Sequence, residues 1–188
     1  MTKTKFVSDI ESIRTQARKN IEDGAVTQGY KANKEAVIKV LNDALATELI
    51  CVLRYKYHHL MAKGINSEPV AAEFLEHANE EQIHADRIAT RIVQLGGTPD
   101  LNPDTLAKRS HSQYVQGNTL LEMIKEDLIA ERIAIDTYRD IIKFLGEDDS
   151  TSRRLMEEIL EKEEEHADDM ANLLSQLSPS DNGGQKTK

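Results

Sequence analysis

This chain has no tryptophan, an aromatic content of 4%, a single cysteine (Cys51), four prolines and nine glycines in 188 residues. One cysteine excludes an intrachain disulfide and a four-cysteine metal site. No stretch approaches the ~20 apolar residues of a membrane span. The opening Met1 to Val7 has no long apolar run behind it and does not read as a signal peptide. The expectation is a cytoplasmic protein with no membrane partner. A net charge of −9 argues against broad nucleic-acid affinity and suits a protein that attracts cations. Prolines and glycines fall almost wholly outside the long periodic stretches, and the apolar residues are mainly Leu, Ile, Ala and Val. That profile favours an all-helical domain.

Four segments carry a helical period, at about residues 34–63, 68–95, 119–145 and 150–177. Their stripes run through Val37, Leu41, Leu45, Glu48, Val52 and Tyr55; Phe74, His77, Glu81, His84 and Ile88; Ile124, Leu128, Glu131, Ile135 and Tyr138; and Met156, Ile159, Glu163, His166 and Met170. Three- and four-residue spacings of this kind belong to helices packed in a bundle. Gly64, Gly96 and Gly146 each follow a segment, where a left-handed residue ends a helix. Ser67 and Asp149 are candidate N-caps, and Thr119 to Glu122 reads as a capping box. The turns after the first and third segments are short, so each makes an antiparallel hairpin. The link from Gly96 to Asn118 is long enough to cross the height of a ~28-residue helix, with a short helix of its own near Asp104 to Arg109. The predicted architecture is an all-α four-helix bundle with one long crossover between helices two and three. Three units are expected: an N-terminal extension (1–33) with a short helix beginning near Ser8, the bundle (34–177), and a polar tail (178–188).

Four glutamates and two histidines lie on the apolar stripes themselves. Glu81-Gln-Ile-His84 and Glu163-Glu-Glu-His166 repeat one Glu-x-x-His pattern, and each follows a lone glutamate: Glu48 lies 33 residues before Glu81, and Glu131 lies 32 before Glu163. A Glu and a His three apart share a helix face, and the heights within the two hairpins agree. Two metal-free ion-pair clusters would leave four buried glutamates against two histidines, a costly burial. Two divalent ions cancel the four carboxylates. Carboxylate and imidazole ligands suit iron, with manganese the alternative ion. Glu81 and Glu163 would bridge; Glu48 and Glu131 would be terminal. Oxidation of two ferrous ions by O2 or H2O2 is the favoured reaction. Tyr55, two turns after Glu48, could serve it by hydrogen bonding or electron donation. Asp127 is a candidate to orient a ligand histidine.

The segments Leu45-Ala-Thr-Glu48-Leu, Glu81-Gln-Ile-His84-Ala-Asp-Arg87, Asp127-Leu-Ile-Ala-Glu131 and Glu163-Glu-Glu-His166 resemble the bacterioferritins and the Dps-like members of the ferritin superfamily, over about residues 35–177. The resemblance implies that Glu48, Glu81, His84, Glu131, Glu163 and His166 are di-iron ferroxidase ligands, and that Tyr55 is a tyrosine near the centre. It also implies a homo-oligomeric hollow cage storing ferric mineral. Haem-binding bacterioferritins have a methionine directly after the first glutamate of that motif; Gln82 stands there, so haem is not expected. A fifth helix after Leu177 is missing from the pattern, which favours a dodecamer over a 24-mer.

Other readings compete. A rubrerythrin-like di-metal peroxidase without storage would share the centre, although Cys51 alone cannot build the four-cysteine site usual there. A DNA-protecting role would rest on Lys3, Lys5, Arg14, Arg18 and Lys19 and is the weaker alternative. Packing or a hydrogen bond explains His59 and His77 better than an accessory metal role, and Cys51 reads as a small core residue. The acidic run Glu161 to Asp169 is equally a solvated face or the lining of an iron store.

Overall fold

The computed structural model describes residues 9–19, 21–65 and 67–177. The polar tail, Lys3, Lys5 and Ser8 lie outside them. Six α-helices follow in order: α1 (Ile10–Gln16), α2 (Lys34–Met61), α3 (Ser67–Gln94), α4 (Pro103–Arg109), α5 (Leu120–Leu145) and α6 (Ser150–Leu177), with one 3-10 turn at Ile21–Asp23. No strand occurs among the described residues. No helix there is long and apolar enough to cross a membrane.

The four long helices form where the periodicity places them, each within two residues of its expected ends. Asn33 opens α2 by accepting from the Ala36 N–H, and Asp149 opens α6 by accepting from the Ser152 N–H. At α5 the Thr119 hydroxyl accepts from the Glu122 N–H. The return bond of this box reaches one residue further than expected, from the Asn118 N–H to Glu122. Gly64, Gly96 and Gly146 all have positive φ.

Side-chain pairings fix the helix directions. Tyr55 meets Glu131 and Tyr138 meets Glu48, so α2 and α5 run antiparallel. Glu80 meets His166 and Arg91 meets Ser152, so α3 and α6 are antiparallel too. With α2 and α3 joined as a hairpin, α3 and α5 run parallel, as a single crossover requires. The crossover can be followed bond by bond along α2. Asp100 N–H donates to Asn42, His111 N–H to Thr47, Arg54 donates to Ser112 and to the Gln113 carbonyl, and His58 Nε2 lies 2.9 Å from the Gln116 carbonyl. At Gly97 a side chain would come within 2.9 Å of Ile38, so the link can lie this close to α2 only without a Cβ.

The bundle interior has two apolar blocks. One is built around Leu41, Leu45, Ile88, Ile92, Ile141, Leu145, Met156 and Ile159. The other holds Phe74, Ala78, Met123, Ile124 and Met170. Between them lies a layer of buried charged groups. Those two blocks hold four helices in register, and so fix the heights at which the polar side chains meet.

The extension differs from expectation in one respect. The short helix forms, capped by Asp9 accepting from the Ser12 N–H, but it ends at Gln16 and does not reach Ile21. It buries no residue, so nothing apolar supports a further turn. From Val26 onward the chain packs on the bundle, and the Tyr30 hydroxyl donates to Asp149 at 2.8 Å.

Candidate metal centre

Two clusters of potential ligands meet in the polar layer. Glu48, Glu81, His84 and Glu163 form one; Glu81, Glu131, Glu163 and His166 form the other, with one donor atom from each residue within 4.8 Å of the rest. Glu81 and Glu163 belong to both clusters, whereas Glu48, Glu131 and each histidine belong to one. That is the division into shared and terminal carboxylates expected from the sequence. All six side chains are at most 3% exposed. His84 Nδ1 lies 3.0 Å from Glu163, 3.3 Å from Glu48 and 3.4 Å from Glu81. His166 Nδ1 lies 3.4 Å from Glu81.

The donor set fits a pair of cations. Seven buried atoms from these six residues find no hydrogen-bond partner among the described residues: Glu48 Oε2, both Glu81 oxygens, His84 Nδ1, Glu131 Oε2, Glu163 Oε1 and His166 Nδ1. Orphaned buried polar atoms are rare and call for an explanation, and here all seven border one space. Burial and then the Glu81 charge push the Glu48 and Glu163 carboxyls well above the ordinary range, and Glu131 shifts the same way. Burial opposes ionisation of Glu81 too, but hydrogen bonds from Glu48 and both histidines hold it well below that range. Burial disfavours charge on the histidines, yet the carboxylates around them win: His84 is raised, and His166 reaches about 9. One carboxylate keeps its charge here and the rest hold protons, a state that cations would relieve.

The surrounding groups fix the ligand atoms. Tyr55 donates to Glu131 Oε1 and Tyr138 to Glu48 Oε1, and in each carboxylate the other oxygen is an orphan turned to the centre. The two tyrosines are related by the internal repeat: Tyr55 is seven residues after Glu48, and Tyr138 seven after Glu131. Burial, reinforced by the carboxylates, holds both phenols well above their usual range, so both remain donors. Glu80 accepts from His166 Nε2 at 2.8 Å, which leaves Nδ1 to face the centre.

Several sequence readings change. Asp127 touches neither ligand histidine. It accepts from Arg54 Nε at 2.8 Å and sits 2.8 Å from His58 Nδ1, in a fully buried network that ties α5 to α2. Glu80 has the orienting position instead; beside Glu81 on a charged helix it looked like one more solvated carboxylate. Tyr138 was legible only as a stripe residue, and the seven-residue echo was the signal that could have revealed it. His59 lies away from the centre, bonded to the Ala71 carbonyl. Cys51 is buried. His77 stacks on His166 with ring centroids 4.0 Å apart.

A family model described as a ferritin-like domain matches residues 38–179. The bacterioferritin of Brucella melitensis biotype 1 is 32% identical over 145 residues, which is 76% of this chain and 84% of that one. Among solved structures, a dodecameric thioferritin, the bacterioferritin-related protein of Bacteroides fragilis, superposes with a TM-score of 0.75 at 32% identity. The match covers 78% of this chain and 88% of that one. The bacterioferritin of Desulfovibrio desulfuricans, described with a diiron site, superposes with a TM-score of 0.67 at 30% identity, covering 76% and 80%.

Proposed function

The chain belongs to the ferritin-like family, and from that premise we propose that it is an iron-storage ferroxidase, oxidising Fe(II) to Fe(III) with O2 or H2O2 and holding the ferric product inside a homo-oligomeric cage. The observation that carries this reading is the pair of ligand clusters sharing Glu81 and Glu163. A bundle in which two carboxylates serve both clusters is built for two ions side by side, where one ion would leave half the donors unpaired.

In this reading Glu48 and His84 hold one ion, Glu131 and His166 the other, and Glu81 and Glu163 bridge them. The bound pair supplies two electrons, one from each ferrous ion, to a single oxidant molecule. The protein's contribution is positional. Tyr138 and Tyr55 each hold one oxygen of a terminal carboxylate and present the other. Glu80 fixes the His166 tautomer. The apolar blocks above and below keep water from the carboxylates. Iron is favoured over manganese for a storage role, since it is then cargo as well as cofactor.

A dodecamer is the assembly we favour. It rests on the described length of α6, which ends at Leu177, and on the likeness to the B. fragilis dodecamer. The bundle of residues 34–177 would form the wall, with 1–33 an extension and 178–188 a tail.

The test is particle mass by light scattering before and after aerobic loading with excess Fe(II), with Glu131→Ala as the control. Twelve subunits that keep hundreds of irons per particle in solution, with fast oxidation lost in the variant, are expected. A dimer that precipitates all but two irons per chain would sink storage and leave the di-metal peroxidase. Wild-type oxidation by Glu131→Ala would sink the ligand assignment.

A further inference from the structure

A third group of metal-ligating side chains lies beside the six-residue centre and shares no residue with it. Glu73 and His77, one turn apart on α3, face Asp169 across from α6, with one donor atom of each within 4.8 Å of the others. The carboxylates are partly exposed, at 35% and 40%, whereas the His77 side chain is 2% exposed. The group therefore opens outward at its carboxylates and is closed by a buried imidazole.

The hydrogen bonds around His77 determine what that imidazole presents. Its Nδ1 lies 3.2 Å from the Tyr55 hydroxyl oxygen. Tyr55 has one proton, committed to Glu131. At this contact the tyrosine oxygen therefore accepts, and His77 Nδ1–H donates. A neutral ring with its proton on Nδ1 carries a lone pair on Nε2. That nitrogen makes no hydrogen bond among the described residues; its nearest neighbours are Glu73 Oε1 at 3.5 Å and Asp169 Oδ2 at 3.6 Å. Three acceptors thus point at one another with no donor between them, and the nitrogen belongs to a buried side chain. Protonating the ring would resolve the conflict, but burial and then the neighbouring His166 charge lower the His77 pKa to about 3. Glu73 and Asp169 are both raised, by burial and then by each other's charge. A cation at the centre of the triangle is the arrangement that pairs all three.

We propose that Glu73, His77 and Asp169 form a third divalent-cation site on each chain, next to the paired centre and open to solvent. One imidazole and two carboxylates suit first-row ions such as Fe(II), Mn(II) or Co(II). The His77 ring stacks on His166 and bonds to Tyr55, so a single side chain joins this site to both halves of the paired centre. That the cargo here is Fe(II) on its way to or from that centre rests on the function proposed above; the existence of the site rests on its own geometry.

Cobalt(II) is the probe, added to the metal-stripped full chain without oxygen. Bound cobalt is measured by equilibrium dialysis and located by anomalous diffraction. Three cobalt ions per chain are expected, one of them bonded to His77 Nε2. The double variant Glu73→Gln, Asp169→Asn keeps side-chain shape on an exposed face, so it preserves the fold, and it is expected to bind two, with affinity for the third ion at least tenfold weaker. Two ions in wild type and variant alike, both in the paired centre, would overturn the proposal. So would a third ion that survives the double substitution. The function proposed above is separable: Glu131→Ala is expected to disrupt the paired centre and retain cobalt at His77. Cobalt at His77 without a pair in wild type would uphold this site and remove the di-metal reading.

Discussion

Each terminal carboxylate of the paired centre is held at one oxygen by a tyrosine from the opposite helix, and this makes the tyrosines testable as a symmetric pair. Tyr55→Phe frees Glu131 Oε1, and Tyr138→Phe frees Glu48 Oε1. Neither substitution changes side-chain shape, so the loss is confined to orientation and to one hydrogen bond. Groups that orient ligands are typically worth about 10–100-fold in metal affinity or activity. Each variant is expected to lose that much of the initial Fe(II) oxidation rate with circular dichroism unchanged; a Tyr138→Phe protein with the wild-type rate would remove the orienting role. At this scale the sequence was informative where a pattern was duplicated. Six residues on apolar stripes, in two matching sets, announce themselves because carboxylates are costly there. Tyr138 did not stand out, since a buried tyrosine is ordinary core. Asp127 was misassigned because its partner Arg54 lies 73 residues away, and no local spacing reveals an ion pair between helices.

Helix ends and the crossover were readable from glycines, caps and chain length, because those signals act over a few residues. What fastens the crossover was not. Arg54 is 1% exposed and divides its donors between Asp127 and the link at Ser112 and Gln113. Asp127→Ala would strand a buried guanidinium, a loss of about 3–5 kcal/mol. Lower denaturation midpoints with two ions still bound in the paired centre are expected; loss of those ions at unchanged stability would restore Asp127 to a metal role. Asp149 is a second fastening. It caps α6 through the Ser152 N–H and also accepts from the Ser152 and Tyr30 hydroxyls and from Arg91. Burial raises its pKa, but these donors outweigh burial and hold it below the ordinary aspartate range. The sign follows: a depressed carboxyl stabilises the fold above its unfolded pKa, and that contribution fades as pH falls through the lower folded value. Asp149→Ala is expected to cost about 1–2 kcal/mol as a lost cap at neutral pH and progressively less below about pH 4. A cost that stays constant into acid would show that the charge is not involved. The packing of Val26 and Tyr30 on the bundle was invisible in the sequence, because two apolar residues among polar ones carry no period.

For the whole molecule, the decisive quantity is the charge buried in the polar layer, since the two apolar blocks must close over it. Without cations, Glu48, Glu131 and Glu163 hold raised pKa values, and so do His84 and His166. Groups whose pKa rises on folding stabilise fully below their unfolded values, and this contribution is lost as pH climbs through the folded ones. For His166 the loss runs from the ordinary histidine range up to about 9. Glu81 acts in the opposite sense, its contribution disappearing on acidification. With five raised groups against one depressed, the metal-stripped protein is expected to become less stable between about pH 6 and pH 9. Cations reverse the slope, because each ion must displace those protons to reach its ligands. Affinity then rises with pH, and a ligand at 100 times its Kd adds about 2.7 kcal/mol to the folded state. Thermal unfolding with chelator or with Mn(II), at both ends of that window, is expected to give slopes of opposite sign, and calorimetry in buffers of different ionisation enthalpy to record protons released on binding. Parallel slopes with no proton release would mean that the six side chains are satisfied without metal, and the layer would then be a structural polar core.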